Sequence, residues 1–204
     1  MTRRHRGEPR RLLLESARDL FSRQGYSSTS TREIADHAGV SETLMFRYFG
    51  SKAGLFREAL VAPFIEYIEN LNSEWQSGSL DGLGPEEFTR MLVGDLFDLF
   101  SKHRGLVIML WAADGFSAKE LADTGVHELE DELNVLMRLG VTETVKRDFP
   151  PLARHDLSTR SMLAMVAGMA VFGRAFYGKR PPSRNAIIEE LTQAVLYGRM
   201  YREH

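Results

Sequence analysis

The chain has 204 residues, 43% of them hydrophobic and 26% charged, and a formal net charge of -2. That length suffices for a sizeable core, or for one small domain joined to a medium one, and the composition is that of an ordinary globular protein. With no cysteine, the chain forms no disulfide, thiolate nucleophile or cysteine-bound zinc site, which fits a reducing compartment.

Residues 1–8 are polar and rich in arginine. They read either as an arm, with Arg3, Arg4 and Arg6 reaching a DNA groove or backbone, or as an uninvolved charged start. Only Leu12, Leu13 and Leu14 follow before Glu15, which is no secretory hydrophobic region. The longest run free of polar residues, Met162 to Gly173, is about half of what a bilayer needs. The expected location is therefore the cytoplasm, in association with the nucleoid.

A first helix is predicted from Pro9, which suits an opening turn, to about Gln24. Leu13, Ala17, Leu20 and Phe21 line its inner side, and Gly25-Tyr26 ends it. Next, Ser30 can accept from the backbone N–H three residues on while Glu33 reaches back to the N–H of Ser30, so a helix starts near Thr31. Ile34, Ala35 and Ala38 give it one apolar side, and Gly39 can take the left-handed conformation that closes it. Ser41 then caps a further helix from Glu42 to about Tyr48. Helix, glycine turn, helix is the arrangement of a helix-turn-helix.

At 100° per residue, Met45 and Phe49 face inward with Val40. The opposite side belongs to Thr43 and Arg47, flanked by Leu44 and Tyr48 on one edge and Phe46 on the other. Such a face is poor as a merely solvated surface and suits the DNA major groove. Arg47 can bond guanine or phosphate, and Leu44 and Phe46 can touch thymine methyls. Thr31 and Arg32 at one helix start and Lys52 at the next flank the groove. With the caps Ser30 and Ser41, they complete the candidate DNA-binding set. Charge agrees: residues 1–52 carry ten Lys/Arg against six Asp/Glu, and residues 53–204 carry sixteen against twenty-two. A basic head is the footprint of a nucleic-acid binder, and the acidic remainder is not expected to touch phosphate. The expected division is a DNA-binding domain over 1–52 and an effector-binding and dimerisation domain over 53–204.

After Lys52 a long helix is predicted, with Leu55, Phe56, Ala59, Leu60, Phe64, Ile68, Leu71 and Trp75 at helical spacing. Pro63 inside it either kinks the helix or divides two shorter ones. Gly78 to Gly84 reads as a loop, and Pro85 opens a helix to about His103. Leu106 to Ala113 is a short, almost wholly apolar helix. Ser117 caps the next, which has an irregularity near Gly125 and reaches Leu139 or Phe149. Two last helices, about 156–177 and 184–201, flank a proline-rich turn. Ala164 and Gly168 on one, with Ile188, Leu191 and Val195 on the other, form the expected dimer interface, because small residues let two pairs of helices approach closely; the alternative is that both are core helices of a monomer.

Catalytic chemistry is not expected. His127-Glu128-Leu129-Glu130-Asp131 has Asp131 where a zinc-protease helix needs its second histidine, and no third ligand is evident. Gly50-Ser51-Lys52 lacks the upstream glycine of a phosphate loop. The six histidines are scattered. No enzyme activity, cofactor or metal is predicted. The body does carry many soft and aromatic apolar groups: Phe97, Phe100, Met109, Trp111 and Phe116, then Met137, Met165, Met169 and Phe172. These suit a core, and collectively an adaptable apolar pocket for a small hydrophobic effector. An alternative is a DNA-bound adaptor whose body engages a protein.

The first quarter of the chain resembles the tetracycline-repressor (TetR) family of bacterial transcriptional regulators. The likeness rests on Leu14-Glu15-Ser16-Ala17, Leu20-Phe21, Gly25-Tyr26, Thr29-Ser30, Ile34-Ala35, Ala38-Gly39-Val40-Ser41, Tyr48-Phe49, Ser51-Lys52 and Leu55. It implies an all-α homodimer of about nine helices, with a three-helix DNA-binding head, a larger effector-binding and dimerisation domain, and a double-stranded operator as partner. It also implies that the helix after Ser41 is the recognition helix, in a regulator that most often acts as a repressor. Phe46 stands where the family usually has tyrosine, and Leu44 where a small polar residue is common. The phenol-to-phosphate bond expected at position 46 is therefore missing, which leaves that role to Tyr48.

Overall fold

The computed structural model describes residues 7–78, 80–111, 122–147 and 155–200, and all regular secondary structure among these is helical. Nine helices follow in order: α1 (Glu8–Gln24), α2 (Thr31–Ala38), α3 (Glu42–Phe49), α4, α5 (Pro85–Lys102), α6 (Arg104–Trp111), α7 (Val126–Lys146), α8 (His155–Tyr177) and α9 (Arg184–Met200). Helix α4 runs without interruption through Lys52–Phe56, a π-helical turn at Arg57–Val61, and Ala62–Gln76. The chain forms two compact units, one of Met1–Glu66 with Gly105–Glu130 and one of Tyr67–Arg104 with Asp131–His204. None of the described helices is long and apolar enough to cross a membrane.

In the first unit, the predicted inner faces of three short helices close on one core. Leu13, Ala17 and Phe21 of α1, Ile34 of α2, Met45 of α3 and Leu55 and Phe56 of α4 are all fully buried. Phe21 stacks on Tyr26 at 5.7 Å between ring centroids, and Phe56 meets both edge-on, a geometry in which ring quadrupoles attract. This core draws in more chain than 1–52, because Leu55 and Phe56 belong to it. Gly105, at the start of α6, lies against Ser22, and Met109 is buried in the same unit. Arg57 in the π turn is paired with Glu128 of α7 at 2.6 Å.

Pro63 sits in the second position of the last segment of α4, directly after the π turn. The helix is not divided there: it continues past Pro63, with the wider π turn directly before it.

In the second unit, α5 packs against α8 and α9, with Phe88, Val93 and Leu99 fully buried from one side and Val166 and Val171 from another. Arg147 fastens the 80–84 loop. Its Nε donates to the Leu83 carbonyl at 3.1 Å, its Nη1 pairs with Glu143 at 2.6 Å, and its guanidinium lies 4.4 Å above the Phe88 ring.

Candidate nucleic-acid interface

The two motif helices are held by the caps that the sequence announces. Ser30 accepts from the Glu33 N–H at 3.1 Å and Ser41 from the Leu44 N–H at 3.3 Å. The reciprocal half of the first cap is not formed: the Glu33 carboxylate instead accepts from Gln24 at 2.8 Å, which ties α2 to the end of α1. Gly39 takes the left-handed conformation, φ 63° and ψ 35°, and its N–H closes the end of α2. Without a Cβ, it turns the chain sharply enough for α3 to cross α2.

Met45 and Phe49 are buried, so the opposite side of α3 faces solvent. Thr43 and Arg47 are exposed, Leu44 and Tyr48 half-buried, and Phe46 is 45% exposed. A phenylalanine so open to water on one edge of this face can make an apolar contact, and a thymine methyl fits it. The Arg47 guanidinium lies 6.0 Å from the Tyr48 ring centroid, close enough for the ring face to hold it on this surface.

The N-termini of α2 and α3 are joined by a bond the sequence does not announce. The Thr31 hydroxyl donates to the Glu42 carboxylate at 2.6 Å. Thr31 is therefore engaged with the neighbouring helix and fixes the angle at which α3 is presented. Arg32 projects into solvent, with only a 4.0 Å approach to Asp36. Lys52, at the start of α4, places its ammonium 4.2 Å from the centroid of the buried Tyr26 ring. Tyr26 thus serves as both core and platform, a role that the Gly-Tyr pair gave no sign of. Ser51 caps α4 by accepting from Gly54, so Lys52 sits at a helix N-terminus, where N–H groups favour anions.

The predicted pocket residues that are described fall in both units. Phe97 and Phe100 are buried in the second unit, where Met137 lines a small cavity; Met169 and Phe172 are half-buried, and Met165 is exposed. Met109 belongs to the first unit. The Trp111 side chain and Phe116 lie outside the described residues, as do Arg3, Arg4 and Arg6. A small, partly open cavity, about 20 Å³, is formed by Leu92 and Leu96 of α5, Leu136 and Met137 of α7, and Met162 and Leu163 of α8. Of the expected dimer residues, Ala164 is exposed and Gly168 has open space where a Cβ would be. Ile188, Leu191 and Val195 are instead 5–6% exposed and belong to the chain's own core. The apolar stripe of α9 is used against α5, as the 3.8 Å approach of Ile188 to the Cβ position of Gly94 illustrates. His127 and Glu130 form an exposed pair at 3.5 Å, and no group of three metal-ligating side chains occurs among the described residues.

Residues 13–59 match the model of the bacterial regulatory proteins, tetR family. The chain is 37% identical over 157 residues to the Probable HTH-type transcriptional regulator YttP of Bacillus subtilis, covering 75% of this chain and 74% of that one. It is 28% identical to the HTH-type transcriptional repressor NicS of Pseudomonas putida, over 78% of this chain and 73% of the relative. Other curated relatives are matched over less, 35% and 26% of their length in two cases. In fold the chain is similar to the Bacillus subtilis transcriptional regulator FadR, solved with stearoyl-CoA, at a TM-score of 0.67 and 15% identity. That match covers 93% of this chain and 98% of the other.

Proposed function

The chain belongs to the tetR family of bacterial transcriptional regulators, and from that premise we propose that it is a homodimeric repressor of a palindromic operator, released by a small apolar effector. The observation that carries this reading is the outward face of α3, where exposed Thr43, Arg47 and Phe46 stand on a helix fixed at both ends. Thr43 and Arg47 read base edges, Phe46 and Leu44 meet methyl groups, and Lys52, Arg32 and Tyr48 hold phosphates.

Two chains pair through the outer faces of α8 and α9, where Ala164, Gly168 and Ala194 leave room for close approach. The paired heads then meet half-sites about 34–36 Å apart, or a multiple of that spacing. The effector occupies the second unit. The repressor name of NicS and the acyl ligand in the FadR structure are in keeping with this choice. An effector that prefers wrongly spaced heads lowers operator affinity by the factor with which DNA lowers effector affinity. A shift from 1:99 to 99:1 requires ~5.5 kcal/mol of differential affinity.

The test is selection of an operator from random duplexes, followed by gel-shift titration with apolar candidates. Duplex binding by a dimer that weakens with one of them is the expected result. A monomer indifferent to every duplex at low ionic strength overturns the reading. A second reading, a DNA-bound adaptor for a protein, draws on the exposed Leu157 and Phe176, 52% and 69% exposed. An operator affinity that no small molecule changes would favour it.

A further inference from the structure

The small cavity of the second unit has an open neighbour. Met137 and Thr159 line both the cavity and a groove of about 560 Å³ formed by residues of α7 and α8. The cavity alone has room for little more than one water, whereas the groove lies in the size range of ligand sites. Only these two side chains are common to both spaces. Methionine is unbranched and has three rotatable bonds, so Met137 is the part of the partition able to swing aside.

The lining of the groove is chemically one-sided. Among the described residues its two charged groups are Arg138 of α7 and Arg160 of α8, both exposed, and no carboxylate lines it. Asn134 and Thr142 add neutral polar groups. Among the described residues neither guanidinium has an ion-pair partner, whereas Arg90, Arg147 and Arg184 in the same unit are paired with Glu189, Glu143 and Asp98. This positive spot stands on a body whose residues 53–204 carry more acids than bases. Two arginines that have no ion-pair partner among the described residues and line one groove on an acidic body, beside an apolar cavity, suit a ligand with an anionic head and an apolar tail.

We propose that the effector is a linear anionic amphiphile whose head is held by Arg138 and Arg160 in the groove and whose chain lies along Val141 and Met137 there, its end reaching toward the cavity. The proposal rests on the reading of the second unit as an effector domain. The shared chemistry is an acyl chain ending in a carboxylate or phosphate, supplied by a free fatty acid or by a phosphate-bearing thioester.

Binding of dodecanoate, lauroyl-CoA and dodecanol to the full-length protein, each below its micellar concentration, tests this by titration calorimetry. At least one anion is expected to bind roughly fivefold to tenfold tighter than the alcohol, as two partly exposed charge-assisted contacts would give. Which anion is preferred identifies the source. The preference is expected to shrink with added salt in the wild-type protein, and to vanish in Arg138→Gln/Arg160→Gln while dodecanol affinity is unchanged. Equal binding of alcohol and anions, or a preference that survives both the substitutions and high salt, overturns the anionic-head assignment and leaves an apolar effector standing. Failure of all three to bind, with operator affinity unmoved, overturns the effector reading and this proposal with it.

Discussion

The Nε of Arg18 donates to the carbonyl oxygen of Ala59 at 2.8 Å, linking the middle of α1 to the π turn of α4. The residue four positions after Ala59 is Pro63, which has no N–H to offer that carbonyl. A side chain from another helix thus serves a backbone group whose α-helical partner position is occupied by proline. Replacing Arg18 by methionine keeps much of the packing and removes the donor. It is expected to cost about 0.5–1.5 kcal/mol. In Pro63→Ala, where the backbone donor returns, the same change is expected to cost less. Urea unfolding of the double-mutant cycle measures the coupling; strict additivity would show that the two residues do not share this carbonyl.

Gly54 is required by contact. A Cβ there would come far closer to the Phe49 carbonyl oxygen than van der Waals contact allows, and backbone cannot yield as a side chain does. Gly54→Ala is expected to destabilise the protein by about 1–3 kcal/mol. It should also weaken operator binding, because the junction between α3 and α4 sets where Lys52 stands. Thermal melts and gel shifts on the same preparation check both effects, and an unaltered melting temperature would contradict the close approach.

Substitutions on α3 separate base readers from phosphate holders. Thr43→Ala and Arg47→Ala are each expected to cost roughly 1–3 kcal/mol on the operator and to relax preference at one base position. Lys52→Ala is expected to weaken all duplexes alike and lower the salt slope by about one. Phe46→Tyr adds a hydroxyl at a half-exposed ring edge and is expected to strengthen binding to every duplex. Affinity on operator and random DNA at several salt concentrations distinguishes these cases.

Asp95 gives the stability a pH dependence. Burial, with contributions from Glu74 and Asp98, pushes its carboxyl up to about 6, against partial relief from Trp75 and Arg184. The unfolded chain ionises near 3.8, so between that value and about 6 the folded state holds the extra proton, and stability falls as pH rises through this window. Asp95→Asn removes the penalty. It is expected to be more stable than the wild type by about 1 kcal/mol at pH 7.5, after allowance for partial exposure. The gain should disappear below pH 4. Urea unfolding at pH 4, 5, 6 and 7.5 measures it, and a gain independent of pH would point to a cause other than ionisation.

The head was largely legible because its instructions are local. Ser30, Gly39 and Ser41 act on backbone groups within a turn of themselves, and the spacing of Met45 and Phe49 fixes which way Thr43 and Arg47 point. Even there, contacts between helices were hidden. That Glu33 would turn to Gln24, Thr31 to Glu42, and Lys52 to the face of Tyr26 depends on how three helices cross, which no spacing encodes.

The body was legible only as helices. An apolar stripe states that a surface will be buried, not by what, and the stripe of α9 illustrates the gap: Ile188, Leu191 and Val195 are consumed by α5 within the chain. The scattered Met and aromatic residues likewise divide between two units, with Met109 in one and Met137 in the other. By itself the sequence determined the helices, their caps, the basic head and the direction in which α3 faces, because each follows from periodicity or from hydrogen bonds within one turn. Tertiary structure alone decided which stripes meet, where Pro63 leaves a carbonyl for Arg18, and that Arg138 and Arg160 share one groove beside Met137. Those outcomes depend on the distances between helices far apart in the chain.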